Sequence, residues 1–373
     1  REIPLYTPCG EGEHTFTEIE KRGITTLEAL RRIARALDIS EREIGYAGMK
    51  DAKGVTGQTF SIPRIAPERL LALELPGMKV LSAVRHRNKL KLGHLAGNRF
   101  LIRVRGVPFE AKATAEKVLD ILLLRGVPNY FGPQRYGAQG NSHLIGRALL
   151  RRDYREAVDA IMGNPDQVRD ERWQAAIAAY RSGDAAESLR LFPGHCRTER
   201  DILQRLLKRP DAWDKALQAV HPRLKALYLS AFQSALFDRL LDERLTTFDR
   251  VMTGDLAWKH ENGACFMVED AEGEAERARI FEISPTGPMF GCRMKPPAGQ
   301  PLAMEEALLQ SEGLAAADFD LPGGLRLEGE RRPLRVPLDG VDLRHDGDSL
   351  ALQFSLPKGA YATSLLREIM KTG

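Results

Sequence analysis

Apolar residues recur along the first third of the chain with two different periods. Thr25 and Glu28 form a T-x-x-E signature, followed by Leu27, Leu30, Ile33, Ala34 and Leu37 on one helical face. This predicts an amphipathic helix with a capped start. Ser40 and Glu43 repeat the capping signal before Gly45 and Gly48 break it. Glu13 to Glu20, Gln58 to Ile62 and Lys79 to Arg87 read as strands, and so does Arg99 to Val104, where Phe100, Ile102 and Val104 share one side. Phe109 to Leu124 reads as a helix stopped by Gly126 and Pro128.

The pattern changes after about Arg151. Tyr154 to Met162, Glu171 to Arg181, Ala185 to Phe192 and Glu199 to Lys208 read as helices, and Pro222 opens a longer one to about Glu243. Met252 to Ile283 is strand-like, Pro285 to Pro301 is rich in proline and glycine, and a flexible stretch is expected near Gly323 to Pro333. Strand character returns from Val336 to Leu356, and a helix closes the chain from Ala362 to Lys371. The economical reading is a mixed α+β domain interrupted by a mainly helical insertion, both flanks completing one core.

With 373 residues, 43% of them apolar and 28% charged, the chain has room for two domains and their cores. No apolar run approaches the ~18–20 residues of a membrane-spanning helix. Cys9, Cys196, Cys265 and Cys292 are too scattered for a paired-thiol zinc site, and no HExxH is present. Reduced thiols and no metal are expected. The Gly-rich turn of a dinucleotide or P-loop site is also missing.

Net charge is only +4, from 55 basic and 51 acidic residues, but Arg85 to Arg105 carries seven cations and no carboxylate. Arg85, Arg87, Lys89 and Lys91 alternate, so an extended strand would put all four on one face, suited to phosphate or to protecting a sheet edge. Asp51 lies between Lys50 and Lys53 in a glycine-flanked loop. Close cations keep such a carboxylate ionised, ready as a nucleophile without an activating base; taken alone, the loop fits an Asp-containing connecting turn better. Val127 to Gly137 combines aromatic faces, amides and Arg135, a set suited to stacking a base or to filling a core. Leu356 to Glu368 reads as strand, turn and helix start, a place for phosphate or for a simple cap.

These stretches together resemble the TruD family of tRNA pseudouridine synthases. The resemblance rests on Ala47-Gly48-Met49-Lys50-Asp51 with Val55, Thr56 and Gln58, on Gly10 to His14, on His86 to Phe100, and on Asn129 to Gly137. It continues through Ser230 to Phe237 and Tyr361-Ala362-Thr363-Ser364. It implies a pseudouridine-synthase fold, a mixed, largely antiparallel sheet flanked by helices, with a family-specific helical insertion. The implied division is a catalytic domain of 1–156 and 336–373, interrupted by 157–335. By motif matching Asp51 would be the nucleophile. Phe131 and Tyr361 would stack on the target base, and Asn129 would hold the loop or a base edge. Lys50, Gln58, Lys89, Lys91 and Arg99 complete the expected substrate contacts.

The family's N-terminal lysine and Pro-Glu-Asp-Phe segment is expected before Arg1. Asp238 stands where the family pattern calls for Asn. The implied activity is uridine-to-pseudouridine isomerisation in tRNA, at position 13 of the D arm, by a cytoplasmic monomer that needs no cofactor and no membrane. A non-catalytic structured-RNA binder or tRNA chaperone is the alternative. A glycosidase-like carboxylate enzyme would want a second carboxylate ~5–9 Å away, and the Asp51 loop offers no obvious one.

Overall fold

The computed structural model describes every residue except Asp51, Phe109, Pro322, Gly323, Gly324, Thr372 and Gly373. It divides into two compact units, Arg1–Leu123 with Pro337–Ala362, and Leu124–Val336 with the chain's end from Thr363. Every strand ladder among the described residues is antiparallel.

The first unit holds two four-stranded sheets. One runs Glu2–Pro4, Leu95–Arg105, Ser349–Pro357, Asp339–Asp346. Phe100, Ile102 and Val104 do share its more buried side, and Phe100 stacks on Phe354 with ring centroids 5.1 Å apart. The other runs Gly45–Tyr46, Val55–Pro63, His14–Arg22, Met78–His86. Helix Thr26–Leu37 buries Leu30, Ile33 and Leu37 in one core with Ile19, Phe60 and Ile62 of this sheet. Burial of each such side chain contributes about 1.5–3 kcal/mol. The Thr25 hydroxyl accepts the Glu28 N–H at 3.2 Å, as the cap signature requires.

The second unit is mainly helical. Tyr154–Met162, Glu171–Arg181, Ala185–Leu191 and Arg197–Lys208 enclose a core around Ile161, Ile177, Phe192, Ile202 and Leu203. The long helix Pro222–Glu243 is buried on most of its circumference from Leu229 onward.

The proline- and glycine-rich stretch is more ordered than its composition suggests. Ile283–Met289 is a fully buried strand, and Gly299–Ser311 is a helix. Pro285 and Pro288 are accommodated because the strand changes partner midway. Ile283 to Pro285 pair with Ala257 to Lys259, and Thr286 to Met289 pair with Glu330 to Pro333. That second partner is the strand Glu330–Pro333, which occupies the end of the stretch expected to be flexible. The Met252 to Ile283 region contains strands Leu256–Lys259 and Cys265–Met267, but also a short helix, Ala275–Arg279.

Candidate active site

The loop that carries the expected nucleophile is braced at two points ahead of it. Asp51 itself lies outside the described residues. At the first the Gln58 amide donates to the Gly48 carbonyl at 2.6 Å. At the second the Lys50 N–H donates to the Thr26 hydroxyl oxygen at 2.8 Å. The two braces are joined, because the Thr26 hydroxyl donates to Gln58 Oε1 at 2.9 Å. Thr26 opens a helix and Gln58 sits mid-strand, so the loop is fastened to two rigid elements. Gln58, expected among the substrate contacts, is 0% exposed, with both ends of its amide engaged inside the protein. Its role in the structure is to hold the loop.

Lys50 is also committed. Its ammonium donates to Asn98 Oδ1 at 2.5 Å and lies 3.4 Å from Glu2. Burial pushes the Glu2 carboxyl above the usual carboxylate range, against the opposite pull of Lys50 and the Thr59 N–H.

In the second unit, the segment from Asn129 to Tyr136 is clamped along one stripe of the Pro222–Glu243 helix. Ser230, Ser234, Asp238 and Asp242 recur every fourth residue and so line one face. Arg135 donates to the hydroxyls of Ser230 and, at 2.9 Å, Ser234. Asp238 accepts the Phe131 N–H at 3.0 Å and the Tyr136 hydroxyl at 2.5 Å. Asp242 accepts the Tyr130 hydroxyl at 2.6 Å. Burial, then that bond, pushes the Tyr130 phenol well above its ordinary range.

Asn129 is 3% exposed; its amide donates to the Pro333 carbonyl at 2.8 Å while its Oδ1 accepts from Arg332 at 2.6 Å. Asn129 therefore holds the loop. Arg332 in turn lies 4.2 Å over the Phe131 ring, and the Phe237 ring meets Phe131 edge-on at 5.8 Å. Ser364, at the expected phosphate-binding helix start, donates to the Tyr130 carbonyl at 2.9 Å, and Arg367 covers the Tyr130 ring at 4.6 Å. That motif therefore also fastens the loop.

A family model described as tRNA pseudouridine synthase D (TruD) matches residues 1–369. The chain belongs to the TruD family. Among relatives, the tRNA pseudouridine synthase D of Geotalea daltonii is 66% identical over 371 residues, covering 100% of this chain and 94% of that protein. That of Geobacter metallireducens is also 66% identical, covering 100% and 92%. A provisionally assigned tRNA pseudouridine synthase D from Methanosarcina mazei, solved by crystallography, superposes with a TM-score of 0.86 at 27% identity, covering 100% of this chain and 91% of that one. The fold is thus the α+β pseudouridine-synthase fold, and the family's members are isomerases that convert uridine to pseudouridine in tRNA.

The basic run does not form the single cationic strand face that its alternation suggested. Strand Met78–His86 ends before Arg87. The chain then turns inward, because Leu90 is buried with Phe16, Ala47 and Leu95 and its N–H donates to the Ser61 hydroxyl at 2.9 Å. Arg87 is paired with Glu11, a carboxylate from outside the run. Lys89 and Lys91 nevertheless come together. With Tyr6, Thr7, His86, Asn88 and His94 they line an open hollow of about 600 Å³ that has no carboxylate among its described lining residues. The Lys89 ammonium donates to the Arg42 carbonyl at 2.5 Å and keeps its other two protons. Arg99 lies exposed on strand Leu95–Arg105. Replacing Lys89 and Lys91 by Gln is expected to flatten the salt dependence of tRNA binding by about one unit per lost phosphate contact. An unchanged slope in a binding titration across salt concentrations would place the RNA track elsewhere.

Tyr361 is half-buried at the start of helix Ala362–Met370. Sequence reasoning assigned no role to Thr26, Asn98 or Arg332, nor to the helical stripe. The four-residue recurrence of Ser230, Ser234, Asp238 and Asp242 was a readable signal, whereas the partners of Thr26 and Arg332 were not.

Burial pushes the Asp238 carboxyl up to about 6, and Asp242 adds to the rise; the Tyr136 hydroxyl, the Phe131 N–H and Arg332 pull it back. Folding therefore favours the protonated form. The stabilisation this group supplies is complete below its unfolded value near ~4 and is lost as pH rises through about 6. Asp238→Asn is expected to raise the melting temperature relative to wild type at pH 7.5, the difference shrinking below pH 6 and closing at pH ~4. A pH-independent difference would show that the carboxyl titrates as if exposed.

Proposed function

We propose that the chain isomerises the uridine at position 13 of the tRNA D arm, with Asp51 as the catalytic carboxylate and Phe131 and Tyr361 stacking on the flipped base. The observation that carries this reading is the bracing of the Asp51 loop by Gln58 and Thr26, which fixes the chain at Gly48 and Lys50, directly ahead of the residue that matches the family's nucleophile. A preorganised carboxylate is what a reaction without an external co-reactant requires.

In the isomerisation the N1–C1′ bond breaks, uracil turns in its pocket, and a C5–C1′ bond forms. The C5 proton is lost and N1 gains one. Asp51 acts by attack on C1′, by addition at C6, or by taking the 2′ proton toward a glycal. The detached base must be retained between bond cleavage and rejoining, which is the task of the aromatic faces. Lys89, Lys91 and Arg99 supply positive charge toward the RNA backbone, while Lys50, engaged by Asn98 and Glu2, serves with Gln58 and Asn129 by holding its loop.

The reading includes a cytoplasmic monomer that works without a cofactor. It assigns 1–156 and 336–373 to catalysis and 157–335 to the family-specific insertion. This functional division cuts through the second compact unit, whose long helix carries the Phe131 loop. The test is pseudouridine mapping on an unmodified tRNA transcript after incubation with purified protein alone. Pseudouridine at position 13 is expected, and its formation elsewhere would move the target site.

A further inference from the structure

The polar stripe contains one carboxylate that holds the Phe131 loop at two points, Asp238. We infer that Asp238 is a positioning residue for the isomerisation, its ionised carboxylate setting Phe131 by accepting the Phe131 N–H and the Tyr136 hydroxyl together. The inference rests on the reading of Phe131 as a base-stacking residue.

The geometry requires two acceptors. Oδ1 takes the Phe131 N–H at 3.0 Å and Oδ2 takes the Tyr136 O–H at 2.5 Å. A carboxylate offers lone pairs at both oxygens, whereas a protonated carboxyl presents a donor at one of them. On protonation, either the Tyr136 hydroxyl reverses or the bond to Phe131 lengthens. The ring that follows has little freedom to compensate. It is overlain by Arg332 at 4.2 Å and Arg135 at 5.4 Å and abuts Phe237. Displacing the backbone at Phe131 therefore displaces its stacking face.

Among the described residues, these charged and titratable groups surround Asp238. Asp242 follows one turn later on the same helix, Arg332 comes from strand Glu330–Pro333, and Tyr136 comes from the turn Pro133–Tyr136. Arg135 is held one and two turns earlier by Ser234 and Ser230. His143 meets the Tyr136 ring at 5.0 Å and is itself held below the ordinary histidine range by burial. Asp238, raised to about 6, thus titrates within the range where activity can be followed.

Asn at this position presents one acceptor and one donor, as the protonated carboxyl does, so it holds the clasp in its acid form at every pH. The experiment is single-turnover conversion of a tRNA transcript from pH 5 to 8, with melting temperature and tRNA affinity measured on the same samples. In wild type the rate should fall about 10-fold per pH unit below the Asp238 titration, with affinity unchanged. Asp238→Ala should slow turnover about 10-fold or more throughout. Asp238→Asn should be slow by about 10-fold or more at pH 7.5 and show no acid limb, matching wild type only on the acid side of the titration. Tyr136→Phe removes a donor that favours the ionised form, so its acid limb should move to higher pH.

Phe131→Ala, run alongside, separates two failures. If it is slow and Asp238→Asn matches wild type at pH 7.5 or keeps its acid limb, the positioning role is overturned and the stacking reading stands. If Phe131→Ala turns over normally, the stacking reading falls, and with it positioning through Phe131.

Discussion

Replacing Asp51 by Asn is expected to abolish pseudouridine formation while leaving tRNA binding and folding intact. The substitution preserves size and removes the anion, so it tests charge rather than shape. The loop should keep its conformation, since its fixed points are backbone groups: the Gly48 carbonyl held by Gln58 and the Lys50 N–H held by Thr26. None of these bonds uses the Asp51 side chain. Binding should survive because phosphate contacts dominate RNA affinity. The measurement is single-turnover conversion at saturating enzyme, beside melting temperature and affinity. Residual turnover within about 10-fold of wild type, only ~1.4 kcal/mol of barrier, would remove Asp51 from the nucleophile's role.

The same logic predicts a different outcome for Gln58 and Asn129. Both belong to motifs that point to substrate, yet both side chains are buried and bonded to backbone carbonyls of their own unit. Motif matching finds residues that a site needs; it does not separate those that touch substrate from those that hold the residues that do. Burial and hydrogen-bond partners make that separation.

What was readable in the sequence was local. The helix Thr26–Leu37 and its Thr25 cap are set by residues three to four positions apart, and their pattern is visible without a structure. The helices Tyr154–Met162, Glu171–Arg181 and Pro222–Glu243 likewise follow from their capping and turn residues. What was not readable depended on distant partners. Alternation from Arg85 to Lys91 suggested a continuous strand, but the burial of Leu90 against Phe16 and Leu95 decides the path instead. The prolines of Ile283–Met289 argued against a buried strand, and only its exchange of partners explains how they fit. The stripe from Ser230 to Asp242 was visible as a spacing, but its hold on a loop about a hundred residues earlier in the chain was not.

Phe131→Ala is expected to slow the rejoining step more than tRNA docking. A base freed from its sugar and gripped on one face only can tumble or leave, so stacking matters most after the glycosidic bond has broken. At ~1–3 kcal/mol per stacked base, turnover should fall by about 5- to 150-fold, with affinity little changed because phosphate contacts set it. The structure adds a competing effect. Phe131 packs against the cluster of Tyr130, Phe237, Phe248, Met289 and Leu334, and its ring lies under Arg332. The truncated protein should therefore also melt at a lower temperature. Rate per folded molecule separates the two contributions: loss of packing alone lowers the folded fraction and leaves that rate unchanged. Tyr361 supplies the parallel test. Tyr361→Phe keeps the ring and should be nearly silent, whereas Tyr361→Leu should share the Phe131→Ala defect. If the folded fraction of Phe131→Ala turns over as fast as wild type, its ring is a core residue and the base is held by other groups.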